Sequence, residues 1–155
     1  MRALALLETA LRAALALLVA AIAVLVTLQV TFRYAVKAPL VWSEELTTLC
    51  YQWASFLGAT LAVRYRGHYG VDFLVRHLSP DLRPALEWFG HAVVWGVALF
   101  LLVFGARLAQ STAGQTYPTL GFSVGAGYLI LPLSGAVFLL MDVAVALERR
   151  RGERP

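Results

Sequence analysis

Two short polar stretches, WSEE at 42–45 and RYRGHYGVD at 64–72, stand at either end of an uncharged segment. The adjacent acids Glu44 and Glu45, and His68 four residues before Asp72, invite a reading as acid–base or metal chemistry. Their company argues against it. The sequence supplies no matched acid–base pair, metal cluster, nucleophile–base set or phosphate loop to complete such a site. The expectation is therefore no catalytic residue, no metal and no cofactor, and the question becomes what these groups hold in place.

The elements that must position them are four uncharged runs, 13–32, 46–63, 88–106 and 120–141. At about 1.5 Å per residue each spans about 27–33 Å, close to the roughly 30 Å hydrocarbon core of a bilayer. The chain is 60% hydrophobic and 14% charged, against about 25% charged in soluble domains. A soluble helical bundle would need a polar face on each helix, and these runs are apolar all round. The first run exceeds the roughly 7–15 residues of a signal core, and Glu8 interrupts the segment before it. It is expected to be a retained helix. The predicted fold is an all-α integral membrane protein, one four-span domain over 1–155. A short amphipathic interfacial helix lies between spans 2 and 3, over about 71–78, where Val71, Leu74, Val75 and Leu78 form one stripe.

The basic residues orient these spans. Twelve arginines and Lys37 make up the cations, and ten of the thirteen fall at the termini or in the 64–87 loop. Arg33, Lys37 and Arg107 fall on the other side. Basic residues near span ends stay cytoplasmic, so both termini and the 64–87 loop are predicted to be cytoplasmic. The basic pI reports topology and lipid contact; nucleic acid is not an expected partner.

Within this frame, Trp42 is an interfacial anchor, Ser43 a predicted N-cap, and Glu44 and Glu45 face the positive end of the helix dipole. Ser43 alone would serve as a cap, so one of the two acids is free to pair with a basic group. The remaining ionisable groups near spans, His91 and Asp142, both sit close to the cytoplasmic interface and read as structural. Haem ligation between spans would need histidines at matched depth, and only His91 lies within a span. Gln29, Thr47 and neighbouring hydroxyls are suited to interhelical hydrogen bonds. Gly121 and Gly125 have small-xxx-small spacing, and Pro132 with Gly135 predicts a kink. Cys50, the single cysteine, excludes an internal disulfide. Spans this bare rarely form a transport path alone, so a partner subunit is the natural inference.

The stretch WSEELTTLCYQWASFLGATLAVRYRGHYGVDFL resembles the core signature of the small membrane subunit of tripartite ATP-independent periplasmic (TRAP) transporters, the DctQ-like proteins. Trp42, Glu44, Glu45, Phe56, Leu57, Gly58, Ala59, Arg64, His68 and Asp72 fall on the signature positions. The chain departs from it at Tyr69-Gly70, where the family usually has Val or Ile. The resemblance implies a bacterial inner-membrane subunit without a substrate site of its own. Its implied partners are a large DctM-like membrane subunit, a periplasmic DctP-like substrate-binding protein and lipid. Together these would import organic acids such as C4-dicarboxylates or sialic acid on an ion gradient. Trp42, Glu44, Glu45, Phe56, Gly58, Arg64, His68 and Asp72 are then candidate partner-interface or structural residues. The alternatives are a stand-alone four-span scaffold or a small glutathione-dependent membrane enzyme.

Overall fold

The computed structural model describes residues 2–65 and 83–150, with side chains described for 5–63 and 88–146. The interfacial helix expected near 71–78 lies outside the described residues. Those residues form α1 (Arg2–Thr31), running directly into a π-helical turn (Phe32–Val36), then α2 (Val41–Tyr65), α3 (Arg83–Ser111), the short α4 (Val124–Tyr128) and α5 (Ile130–Arg150). Among the described residues there are no strands, only an isolated antiparallel bridge between Thr116 and Ser123.

Among the described residues three helical segments are long and apolar enough to cross a membrane: Ala5–Val36, Trp88–Ser111 and Val124–Ala146. The chain is thus an all-helical, multi-pass membrane protein. α2 has 25 residues, ample length at about 1.5 Å per residue. Its Thr47, Thr48, Gln52, Ser55 and Thr60 make it the more polar helix. Several of these hydroxyls are satisfied within their own helix. Thr47, Thr48 and Thr60 donate to the carbonyls of Ser43, Glu44 and Phe56 at 2.7–2.9 Å, as Thr27 and Thr31 do in α1. This back-bonding lets a threonine sit in an apolar helix without a stranded donor.

α1 packs on α2, α2 on α5, and α5 on α3, which also meets α4. The two sides of this array are built differently. Where α1, α2 and α5 meet, Leu11, Leu61 and Met141 form a buried cluster flanked by Leu15, Leu57 and Val137. Between α3 and the α4–α5 segment the contact uses small residues, with Ala98, Gly105 and Ala109 the buried positions among the described side chains of α3. A Cβ on Gly135 would stand 2.6 Å from the Ala98 carbonyl oxygen and 2.9 Å from the Leu102 nitrogen, so two backbones approach through that glycine. In lipid, where burying apolar surface against another helix gains little, such close backbone packing is a main source of helix association.

The fourth apolar run does not begin as a helix. Gly121 adopts φ +71 in a turn, and the helix starts at Val124. Gly125, but not Gly121, makes the close contact expected of that pair: its Cβ would lie 2.3 Å from the Ala109 carbonyl oxygen. A helical break at Leu129 separates α4 from α5, and Pro132 occupies the first turn of α5, where its missing N–H costs least. Trp53 Nε1 donates to the Gly127 carbonyl at 3.0 Å next to this break, joining α2 to α4.

Candidate functional site

α2 begins at Val41, three residues earlier than a Ser43 cap requires. Ser43 is therefore already inside the helix, fully buried, and its Oγ donates to the Leu40 carbonyl at 2.6 Å. This corrects the N-cap expectation. The reason is spatial: the turn from α1 is short, and Lys37 enters the left-handed region (φ 56) to close it. Both the Lys37 and Ala38 amides donate to the Phe32 carbonyl there.

With Ser43 turned inward, the two acids face different neighbours. Glu44 forms an ion pair with Arg33 of the π-helical turn. One turn deeper, Gln29 Nε2 donates to Thr47 Oγ1 at 2.9 Å, so α1 and α2 are tied twice. Glu45 reaches the loop between α3 and α4, where its carboxylate accepts from the amides of Thr119 (3.1 Å) and Leu120 (3.2 Å). Hydrogen bonding from the Thr119 side chain, and then from these amides, holds the Glu45 carboxyl below its ordinary range, against the opposing effect of desolvation. The loop is braced internally: the Tyr117 amide donates to the Phe122 carbonyl and the Gly121 amide to the Tyr117 carbonyl, each at 2.9 Å. Burial, then the nearby Tyr128 and Glu45, push the Tyr117 hydroxyl up.

A second polar cluster lies at the other end of the bundle. Asp142 of α5 is buried, and its Oδ2 is 2.8 Å from His91 Nδ1 and 2.8 Å from Trp95 Nε1, both on α3. One carboxylate oxygen thus gathers two ring nitrogens across the α3–α5 contact. Among the described residues no buried side-chain nitrogen or oxygen lacks a partner, and none form a group of metal-ligating side chains.

The other sequence candidates are spread along α2. Trp42 is exposed at its start. Phe56 is half-buried. Gly58 faces α1, with space for a methyl group 3.9 Å from Leu15. The side chain of Arg64, and all of His68 and Asp72, lie outside the described residues. Sequence reasoning did not find Arg33 as the partner of Glu44, the amides held by Glu45, or the pairing of His91 with Asp142. For the last a signal existed: both lie near the same membrane face on adjacent antiparallel spans.

These features define a multi-pass helical membrane protein whose polar side chains fasten helices together. The sequence profile of the family described as "Tripartite ATP-independent periplasmic transporters, DctQ component" matches residues 22–152, and the chain belongs to that family. This is a family of transporter components, the small permeases, rather than of enzymes. Three curated relatives illustrate it. The sialic acid TRAP transporter permease protein SiaT of Haemophilus influenzae is 35% identical over 80 residues, which are 51% of this chain and 13% of SiaT. The sialic acid TRAP transporter small permease protein SiaQ of Vibrio cholerae is 28% identical over 79% of this chain and 70% of its own. The C4-dicarboxylate TRAP transporter small permease protein DctQ of Rhodobacter capsulatus is 30% identical over 75% of this chain and 52% of its own. The chain therefore spans about an eighth of SiaT and about half of DctQ.

Proposed function

We propose that this chain braces a much larger transport subunit, so that a periplasmic binding protein can hand over organic acids for uptake driven by an ion gradient. The SiaT match carries the reading. The matched 80 residues are only 13% of that permease, whereas SiaQ is a separate small permease matched over 70% of its length. A helical unit found both alone and as a small part of a longer permease belongs beside the longer part. The bareness of the helices agrees: no acidic or basic residue occurs from Thr47 to Val63 or from Ala92 to Ala106, whereas transport sites are commonly built from polar groups near the bilayer midplane. The substrate site then belongs to the larger subunit. Sialic acid and C4-dicarboxylates, the substrates in the relatives' names, point to carboxylates as the cargo class.

In this reading residues 1–155 form one four-span domain with α2 as the additional span and an interfacial helix near 71–78. It sits in a bacterial inner membrane with both termini cytoplasmic. Trp42, Glu44, Glu45, Phe56, Gly58, Arg64, His68 and Asp72 lock the subunit onto its partner or fix its own helices. The test is to tag the chain, extract it gently from its native membrane and identify what co-purifies in stoichiometric amount. A large polytopic subunit supports the reading. A chain that emerges alone or only with itself overturns it.

A further inference from the structure

The cleft between the π-helical end of α1 and the first turns of α2 shares only Glu44 with the residues given to the bracing role. Its volume is about 370 Å³, at the lower end of the roughly 300–1,000 Å³ of small-molecule sites. Its wall carries one cation and one anion, Arg33 and Glu44. We propose that this cleft binds one phospholipid through a phosphoethanolamine headgroup.

Charge and hydrogen-bond inventory lead there. The Arg33 and Glu44 side chains are each more than half exposed, so their mutual pair contributes little alone and a headgroup can insert between them. Thr47 Oγ1 donates to Ser43 and already accepts from Gln29. Thr48 Oγ1 donates to the Glu44 carbonyl. With those protons committed, the polar groups beside the Glu44 carboxylate offer the Gln29 amide oxygen and the Thr48 hydroxyl oxygen as acceptors, while the Arg33 guanidinium, the second Gln29 N–H and the Tyr34 hydroxyl remain as donors for a phosphate. A guanidinium grips a phosphate in bidentate fashion. The acceptors call for a cation with several N–H donors. A primary ammonium has three, whereas a trimethylammonium has none. An anionic glycerol headgroup would bring no cation to Glu44.

The surroundings fit a lipid. The cleft lies at the helix ends, where headgroups sit, and Tyr34 is 74% exposed beside it, the position of an interfacial aromatic. Deeper along the same side, Val30 and Val26 are one turn apart on α1, and Tyr51 lies one turn beyond Thr47 on α2. All three are exposed, an apolar flank on which an acyl chain can lie. A π-turn often marks a functional site, and here it carries both Arg33 and Tyr34. The inference rests on membrane insertion alone; the proposed orientation adds only that the lipid lies in the outer leaflet. It can therefore fail, or hold, independently of the transport reading.

The test is native mass spectrometry of the full chain in detergent, titrated with phosphatidylethanolamine, phosphatidylcholine and phosphatidylglycerol of matched acyl chains. The unaltered chain is expected to retain phosphatidylethanolamine several-fold better than either. Glu44→Gln should bring it down to the phosphatidylcholine level, Arg33→Gln should weaken all three, and the isosteric Thr48→Val, which leaves the helix intact, should lower the ethanolamine preference alone. Equal retention of the lipids by the unaltered chain, or a preference that survives both charge variants, overturns the proposal. Displacement by soluble glycerophosphoethanolamine at comparable concentration would also overturn it, since the site would then take a free headgroup without needing a lipid.

Discussion

The Glu45 carboxylate accepts the amides of Thr119 and Leu120 at 3.1 and 3.2 Å, so the N-terminal part of α2 holds a loop 74 residues further along the chain. The carboxylate gives those loop N–H groups a charged acceptor, stronger than a neutral one. Two helices and a loop thereby share one polar seam: α1 and its π-helical turn through Gln29 and Arg33, α2 through its two acids and Thr47, and the α3–α4 loop through Thr119.

Glu45 should therefore make stability depend on pH. Its folded carboxyl titrates below the ordinary value of 4.5, so its contribution is complete above that value and is lost as pH falls through the folded one. Thermal unfolding in detergent between about pH 6 and pH 3 should show the native chain losing midpoint faster than Glu45→Gln, which keeps an acceptor but cannot titrate. Parallel curves for the two would remove Glu45 as the source.

The Asp142 cluster makes a different demand. Asp142→Ala leaves the ring nitrogens of His91 and Trp95 without their acceptor in a part-buried contact, at about 1–3 kcal/mol for each stranded donor. Trp95→Phe removes one donor and leaves the other bond in place, so it should cost about 1 kcal/mol. Asp142→Asn retains one oxygen and should fall between them. Unfolding midpoints of the three variants in one detergent give the order directly, and an Asp142→Ala midpoint at or above that of Trp95→Phe contradicts it.

The helical class and its membrane setting were legible because long uncharged runs are a strong, one-dimensional signal. The register of α2 was not. Ser43 reads as a cap from its residue type, but the π-turn and the left-handed Lys37 shift the helix start to Val41. Nothing in the local pattern FRYAVK announces that turn. The acids in WSEE were recognised as more than a cap needs, yet their partners lie 11 and 74 residues away. Such pairings depend on which helices become neighbours, information that composition does not carry. The Gly121–Gly125 pair shows the same limit: the spacing suggested a helix face, and only Gly125 is on one.

Packing between α3 and α5 should be intolerant at Gly135. An added Cβ meets two backbone atoms of α3 inside 3.0 Å, and backbone cannot rotate away as a side-chain end can. Gly135→Ala should cost about 1–3 kcal/mol, the usual penalty of overpacking. Gly58→Ala is the control, because its nearest neighbours are Leu15 methyl carbons at 3.9 and 4.0 Å. In a helix interior that change gains up to about 1 kcal/mol of propensity. Unfolding midpoints should move in opposite directions for the two, and a shared direction would show that these close approaches do not set stability.

The proposed topology can be read with thiol chemistry, since Cys50 is the single cysteine and lies half-buried within α2, inside its uncharged run. If α2 crosses the membrane, an impermeant maleimide should not label Cys50 from either side of intact spheroplasts. In a Cys50→Ala background, Lys37→Cys lies in the exposed turn between α1 and α2 and should label from outside. Arg151→Cys, beyond α5, should label only after permeabilisation, because basic residues cluster at the cytoplasmic ends of spans. The reverse pattern, with Arg151→Cys labelled from outside and Lys37→Cys protected, would invert the chain. Both labelled from the same side would mean that an even number of crossings separates them, and α2 could not be counted as a span alongside the three apolar helices.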